Sequence, residues 1–373
     1  MSYSEGNYVG RVWREDVAGP ALVKVEDGTL FDITSRFVPT MRDLLEMDDP
    51  AAFVSKTAGE PLGPIPTEGE LADGWRFLAP VDLQAIKACG VTFAGSMIER
   101  VIEEHASGAP DAAGRIRETI GTILGANLKN LQAGSPEAAR VKQLLIQEGV
   151  WSQYLEVGIG PDAEVFTKSQ ILSAVGHGAL VGIHPISKWN NPEPEIVLLA
   201  DSRGRAKGAT LGNDVNLRDV EGRSALLLGK AKDNNASCAI GPFIRLFDET
   251  YTIEHVRTAE LKIEVRGDDD FILTGTSSMS EISRDPLDLL GQTIGVHHQY
   301  PDGLALFMGT MFAPTEDRGN RGQGFTHKIG DVVTISNPEL GVLINQVAYT
   351  NDCPEWNFGI SHLMRNLSAR NLI

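Results

Sequence analysis

Residues Asn190–Asp201 read NNPEPEIVLLAD, Arg203–Asp219 read RGRAKGATLGNDVNLRD, and Glu221–Pro242 read EGRSALLLGKAKDNNASCAIGP. Pro194, between Glu193 and Glu195, lacks a backbone donor and biases its neighbour away from helix, so the segment is extended. In a strand, positions two apart share a face, and both glutamates then aim at one point. Ile196–Leu199 continues as a buried strand, Ser202–Gly204 forms a turn, and Lys207–Leu211 returns. That return carries Asp214 back beside the start of the hairpin. Three hard oxygen ligands around one point suit Mg²⁺, Mn²⁺ or Ca²⁺, with water and substrate completing the shell. The same spacing also suits a solvated acidic edge strand, because acidic pairs are common on surfaces. Against the edge strand stand Arg218, Lys230 and Lys232, which follow closely, and the tight backbone marked by Gly212, Gly229 and Gly241. Cations beside a carboxylate cage point to a metal that holds an acidic substrate.

The 373 residues suffice for two domains and a full core. A formal net charge of -17 argues against nucleic acid or an anionic membrane as a partner. An anionic substrate must therefore find a local cation. No apolar run is long enough to span a bilayer, and the start, MSYSEGNYVGR, is polar. Cys89, Cys238 and Cys353 are odd in number and far apart. They fit a reducing, cytoplasmic setting and neither a disulfide framework nor a zinc site. The chain has no Gly-x-Gly-x-x-Gly after a strand and no phosphate loop. Gly222-Arg223-Ser224 lacks the glycine spacing of a nucleophile elbow.

Residues 1–75 are expected to form a small β-rich domain, with strands at Val9–Val12, Ala21–Val25 and Leu30–Ile33 and a hairpin turn at Glu26-Asp27-Gly28. Thr40 caps a short helix to Glu46, and Gly59–Gly69 is a loop rich in proline and glycine. Residues 76–373 form the second domain. Ile86–Phe93 is a strand, and helices are expected at Ser96–His105, around Ile116–Leu124, and at Ala138–Gln147. These make a helical insertion. A hairpin follows at Leu261–Leu273, and Ile360–Ile373 ends the chain as a helix. Ser278 and its neighbouring hydroxyls are candidates to bind substrate oxygens. His297 and His298, being adjacent, point apart and do not share a metal.

The order Glu193-Pro-Glu195, Gly212-Asn-Asp-Val-x-x-Arg218-Asp, Gly-Lys, Ile-Gly241-Pro resembles the fumarylacetoacetate hydrolase superfamily. Met308-Gly309-Thr310, Lys328-Ile-Gly-Asp-Val-Val333 and Leu340-Gly-Val-Leu-Ile-Asn345 extend the likeness, which covers roughly Pro80 to Ile373. The runs WSQYLEVGIGPDAEVFTK, GNDVNLRDVEGRSALLL, AKDNNASCAIGP and HQYPDGLALFMGTMFAP are similar to the branch that dehydrates 2-keto-3-deoxy-pentonates in D-xylose and D-arabinose breakdown. The resemblance implies an α/β (α+β) fold, a mixed β-sheet roll with the small N-terminal domain and the helical insertion. It implies a hydro-lyase that is Mg²⁺- or Mn²⁺-dependent and yields 2,5-dioxopentanoate (α-ketoglutarate semialdehyde). A homo-oligomer, dimer or tetramer, acting on a small-molecule 2-keto-3-deoxy sugar acid is also implied.

By the same resemblance Glu193, Glu195 and Asp214 hold the metal. Lys232, counted back from Gly241-Pro242, is the active-site lysine, with Lys230 as the alternative. A lysine near a cation can have a lowered proton affinity and serve as a base. Glu164 is the second proton-transfer group. Arg218 and Thr310 meet the substrate, and Lys168 matches a lysine common in the superfamily. Hydrolases of the family carry a His and a Glu three apart that activate water; here those positions are Ser96 and Glu99. Serine is no base at neutral pH, which favours elimination over C–C hydrolysis and leaves Ser96 as a substrate contact. The alternatives are an acylpyruvate-type C–C hydrolase or β-keto acid decarboxylase on the same scaffold, and a non-catalytic module binding structural Ca²⁺.

Overall fold

Turn chemistry sets the first strands. Strands β1 (Tyr8–Arg14), β2 (Gly19–Glu26) and β3 (Thr29–Asp32) form a meander. Its second turn is the two-residue loop Asp27-Gly28, with φ of 49° and 73°, the positive pair that a tight hairpin needs. The computed structural model describes residues 3, 6–66, 74–93, 97, 101, 131–312, 314, 316–318 and 324–373.

Helix α1 (Met41–Leu45) is capped as expected: Thr40 Oγ1 accepts from Asp43 N at 3.2 Å. Helix α2 (Pro50–Lys56) was not foreseen, although Asp49 caps it and Pro50 opens it. Residues read as loop contain β4 (Glu60–Pro64), paired with β3. Its prolines are tolerated because β4 lies at the sheet edge. Strand β5 (Trp75–Leu78) also pairs with β1, and β1 pairs with the later strand β11 (Cys238–Leu246) through Tyr8↔Arg245. One sheet therefore crosses the boundary expected near residue 75.

Strand β6 (Ala85–Gly90) and the helices α3 (Pro136–Gln147) and α4 (Gln153–Ile159) come next. The first two helices expected in the insertion lie, apart from Met97 and Val101, outside the described residues. Met97, Val101, Leu131, Leu145, Leu155 and Ile159 share a separate small core. Then follow β7 (Glu164–Ser169), β8 (Leu180–Ile183), β9 (Pro194–Ala200), β10 (Ala206–Asp214), α5 (Arg218–Glu221), α6 (Leu228–Lys232) and β11. The remainder is α7 (Ile253–Arg257), β12 (Glu260–Arg266), β13 (Ile272–Ser278), α8 (Pro286–Thr293), β14 (Leu304–Phe307), β15 (Val332–Asn337), β16 (Gly341–Tyr349) and α9 (Ile360–Ala369).

The larger sheet runs β4-β3-β2-β1-β11-β10-β9-β14-β6-β7, with β5 beside β1, and the smaller runs β13-β12-β15-β16-β8. Strand β9 lies between β10 and β14 and is buried along its whole length; the edge-strand reading of Glu193 and Glu195 is therefore wrong. Ile196, Leu198 and Leu211 pack one face against Ile263, Val333 and Leu343 of the smaller sheet. Val197, Leu199 and Phe307 pack the other with Met41 and Leu44. Covering on both faces explains why these strands read as apolar runs without alternation. Strand β7 is four places from β10 in the sheet order, yet Lys168 Nζ lies 2.9 Å from Asp214 Oδ1. The sheet must curl back on itself to allow that contact. Among the described residues no helix is long and apolar enough to cross a membrane.

Candidate active site

The β9–β10 register aligns Glu195 with Gly212 and Pro194 with Asn213, and Asp214 N donates to Glu193 O at 3.0 Å. Glu193, Glu195 and Asp214 thus meet at one end of the hairpin. All three are buried, and each offers a carboxylate oxygen within 4.8 Å of the others. Glu195 Oε2 accepts from Gly309 N at 2.6 Å, in the turn after β14. Glu193 Oε1 accepts from Asn216 Nδ2 at 3.0 Å. Lys232 Nζ donates to Glu193 Oε2 at 2.5 Å and to Asp214 Oδ2 at 2.9 Å. Glycine is required at two supports. A Cβ on Gly212 would come within 2.4 Å of the Phe307 ring, and one on Gly309 within 2.0 Å of Thr92 Oγ1.

Burial pushes the Glu195 carboxyl well above its usual range, and the charges of Asp214 and Glu193 push it further. Glu193 is also raised by burial, which Lys232 opposes and Asp214 reinforces. Burial lowers the Lys232 proton affinity, but Asp214 and Glu193 more than reverse this, and the net shift is upward. The lowered lysine expected from a neighbouring cation is thus not what these side chains produce by themselves. Crowded, buried carboxylates are costly unless opposite charge offsets them. A divalent cation would do so, and a donor set made wholly of carboxylate oxygens fits Mg²⁺, Mn²⁺ or Ca²⁺ better than a softer metal. The residues present therefore fit such an ion.

The other expected residues fall in different places. Lys230 Nζ faces away and lies 3.1 Å from His184 Nε2, so the structure brings Lys232, and not Lys230, to the carboxylates. Glu164 opens β7 opposite Gly90, and a Cβ there would lie 1.9 Å from Glu164 Oε2. Strand alternation puts Glu164 on the same face as Phe166, whose ring centroid is 5.6 Å from Lys232 Nζ. Thr310 follows Gly309, and its Oγ1 accepts from Phe312 N at 3.1 Å. Ser278 adjoins this turn: its N–H donates to Met311 Sδ at 3.0 Å, and its hydroxyl meets Ser280 Oγ at 2.8 Å. Arg218 opens α5 with its guanidinium 4.2 Å above the Trp189 ring. Ser96 and Glu99 lie outside the described residues.

Three contributors were not given roles at the site by sequence reasoning. Asn216 bridges Glu193 and Glu221, donating to Glu221 Oε2 at 2.7 Å. The two-residue alternation through Gly212, Asp214 and Asn216 would have revealed it. The Gly309 amide is invisible in a side-chain pattern. Lys168, noted only for its match, reaches Asp214 from the far edge of the sheet.

No family model matches the chain. Over 184 residues it is 29% identical to a 2-dehydro-3-deoxy-D-arabinonate dehydratase of Saccharolobus solfataricus, covering 49% of this chain and 58% of that protein. Over 194 residues it is 30% identical to a probable 2-keto-3-deoxyxylonate dehydratase of Haloferax volcanii, covering 52% and 63%. The chain spans less than two thirds of the length of these curated relatives. Among solved structures, a 2-keto-3-deoxy-D-arabinonate dehydratase complexed with magnesium and 2,5-dioxopentanoate superimposes with a TM-score of 0.65 at 20% identity, over 92% of this chain and 99% of that one. A 5-carboxymethyl-2-hydroxymuconate delta-isomerase from Mycobacterium smegmatis gives 0.54 at 18%, over 92% and 98%. At these identities the likeness is one of fold, and it is the sheet-rich mixed α/β architecture expected from the motif order.

Proposed function

We propose that this chain is a divalent-metal-dependent hydro-lyase that converts a 2-keto-3-deoxy-pentonate of the D-xylonate or D-arabinonate form to 2,5-dioxopentanoate. The observation that carries the reading is the buried trio Glu193, Glu195 and Asp214 with the Lys232 ammonium against it. The named activities of both curated relatives and the magnesium and 2,5-dioxopentanoate of the solved neighbour support it. Those three carboxylates would hold Mg²⁺ or Mn²⁺. Such an ion supplies Lewis-acid polarisation of the 2-oxo group, which acidifies the neighbouring C3–H.

The residues then divide the remaining work. A proton leaves C3 and the C4 hydroxyl leaves as water after receiving a proton. A C5 proton is lost next and one returns to C3, leaving a C4=C5 enol; this takes a proton at C4 as its hydroxyl loses one, which gives the aldehyde, and the net change is loss of one water. Lys232 and Glu164 are assigned these proton transfers, each as a positioned acid or base. Thr310 and Ser278 offer hydroxyls to substrate oxygens, Arg218 steadies the anion, and Ser96 contacts substrate in place of a hydrolytic histidine. The enzyme works as a cytoplasmic homo-oligomer, a dimer or tetramer.

Product identification decides between this activity and its relatives. Purified protein with Mg²⁺ is incubated with both C4 enantiomers of 2-keto-3-deoxypentonate and, separately, with acylpyruvates. The expected product is 2,5-dioxopentanoate from at least one enantiomer. Cleavage of acylpyruvates with no water loss from either enantiomer would sink the dehydratase reading.

A further inference from the structure

Lys168 is a fully buried cation to which the reaction above gives no task. A buried ammonium persists only where opposite charge and acceptors meet it, and here a carboxylate ion pair and two backbone carbonyls do so. Nζ lies 2.9 Å from Asp214 Oδ1, 2.5 Å from the Lys232 carbonyl and 3.4 Å from the Val215 carbonyl. These acceptors belong to the end of α6, the end of β10 and the residue after it, whereas Lys168 sits on β7. The two Asp214 oxygens are divided: Oδ1 faces Lys168 and Oδ2 faces Lys232. The Lys232 carbonyl is held a second time, by Ser237 Oγ at 2.7 Å.

We propose that Lys168 is a positioning residue. By engaging Oδ1 it turns Asp214 Oδ2 toward Glu193 and Glu195, and by engaging the Lys232 carbonyl it fixes the end of α6 that aims Lys232 Nζ at the same point. The role deepens the proposed metal site and rests on that reading of the trio, but not on which sugar acid is the substrate.

The experiment uses the full chain carrying Lys168→Met or Lys168→Arg. Mn²⁺ is titrated calorimetrically without substrate, melting is followed, and kcat and KM are measured on 2-keto-3-deoxypentonate. For Lys168→Met the Mn²⁺ Kd is expected to rise at least tenfold. In that variant kcat falls at least a hundredfold while KM changes less than fivefold. A folded variant with a lower Tm but unchanged Kd and kcat would overturn the proposal, because it would make Lys168 structural only. Tighter Mn²⁺ binding would also overturn it, by showing that Lys168 merely competes with the ion's charge. If Lys168→Met does not fold, Lys168→Arg decides: its guanidinium keeps the charge but not the three-way geometry, so weaker Mn²⁺ binding is expected and wild-type Kd and kcat would refute the role. Crystals of the wild-type protein grown with and without Mn²⁺ give an independent reading. Lys168 Nζ is expected within hydrogen-bond distance of Asp214 in both, and separation in the Mn²⁺ form would contradict the proposal.

Discussion

Glu195 concentrates the electrostatic conflict of the site. Its carboxyl is raised well above the ordinary 4.5 by burial, then by Asp214 and Glu193. An acid whose folded pKa is raised binds its proton more tightly in the folded state. Its stabilisation is full below the ordinary value and is lost as pH rises through the folded one. In chelator-treated protein the melting temperature should therefore fall as pH rises from about 4.5 toward neutrality, and Glu195→Gln should flatten that fall. Added Mn²⁺ should raise the wild-type melting temperature more at higher pH. Thermal melts across pH check this, and identical slopes for wild type and variant would contradict it. At this scale the sequence was informative where chemistry follows side-chain type. Glu193, Glu195 and Asp214 could be grouped from their spacing, while the preference for Lys232 over Lys230 came from the family resemblance and left Lys230 open. The backbone amide of Gly309 leaves no such trace, and the upward shift of Lys232 depends on distances that only the folded chain supplies.

The β9–β10 hairpin and the turn after β14 together make the cage. The turn depends on Gly309, whose φ of +87° and missing Cβ let Thr92 Oγ1 donate to Met308 O at 2.7 Å while Gly309 N donates to Glu195. Gly309→Ala should destabilise the protein by about 1–3 kcal/mol through backbone strain, with further loss from the contact with Thr92. It should also weaken Mn²⁺ binding at least tenfold as the donor to Glu195 shifts. Gly63→Ala is the comparison: Gly63 also has positive φ, +120°, but nothing lies within 4 Å of a Cβ there, so metal binding should be unaffected. Calorimetric titration of both variants checks this, and equal Mn²⁺ affinity in the two would contradict it. Alternation and turn residues made most elements readable, among them the Asp27-Gly28 hairpin and the Thr40 cap. Strand β4 was not readable, because its two prolines signal a loop and only its edge position admits them. Helix α2 is legible in Asp49-Pro50, a capping residue followed by a proline suited to the first helical position.

Across the molecule, the larger sheet joins residues far apart in sequence. Lys168 meets Asp214 only because β7 curls round toward β10, and nothing in either residue's neighbourhood announces that closure. We propose that residues 1–75 act as a module built onto this sheet. Cutting them away would unpair the edge of β11 and uncover Ile240, Ile244 and Phe307, which pack with Val9, Leu22 and Met41 or lie beside them. A chain beginning at residue 76 should be insoluble or melt well below the full protein; a truncated chain that melts like the full one would contradict this.

The grip of three acidic side chains on a divalent ion is tested most directly by turnover of 2-keto-3-deoxypentonate after thorough chelation, before and after Mg²⁺ is restored. The account predicts that dehydration disappears in the stripped protein and returns with Mg²⁺, whereas undiminished turnover without any divalent ion would contradict it.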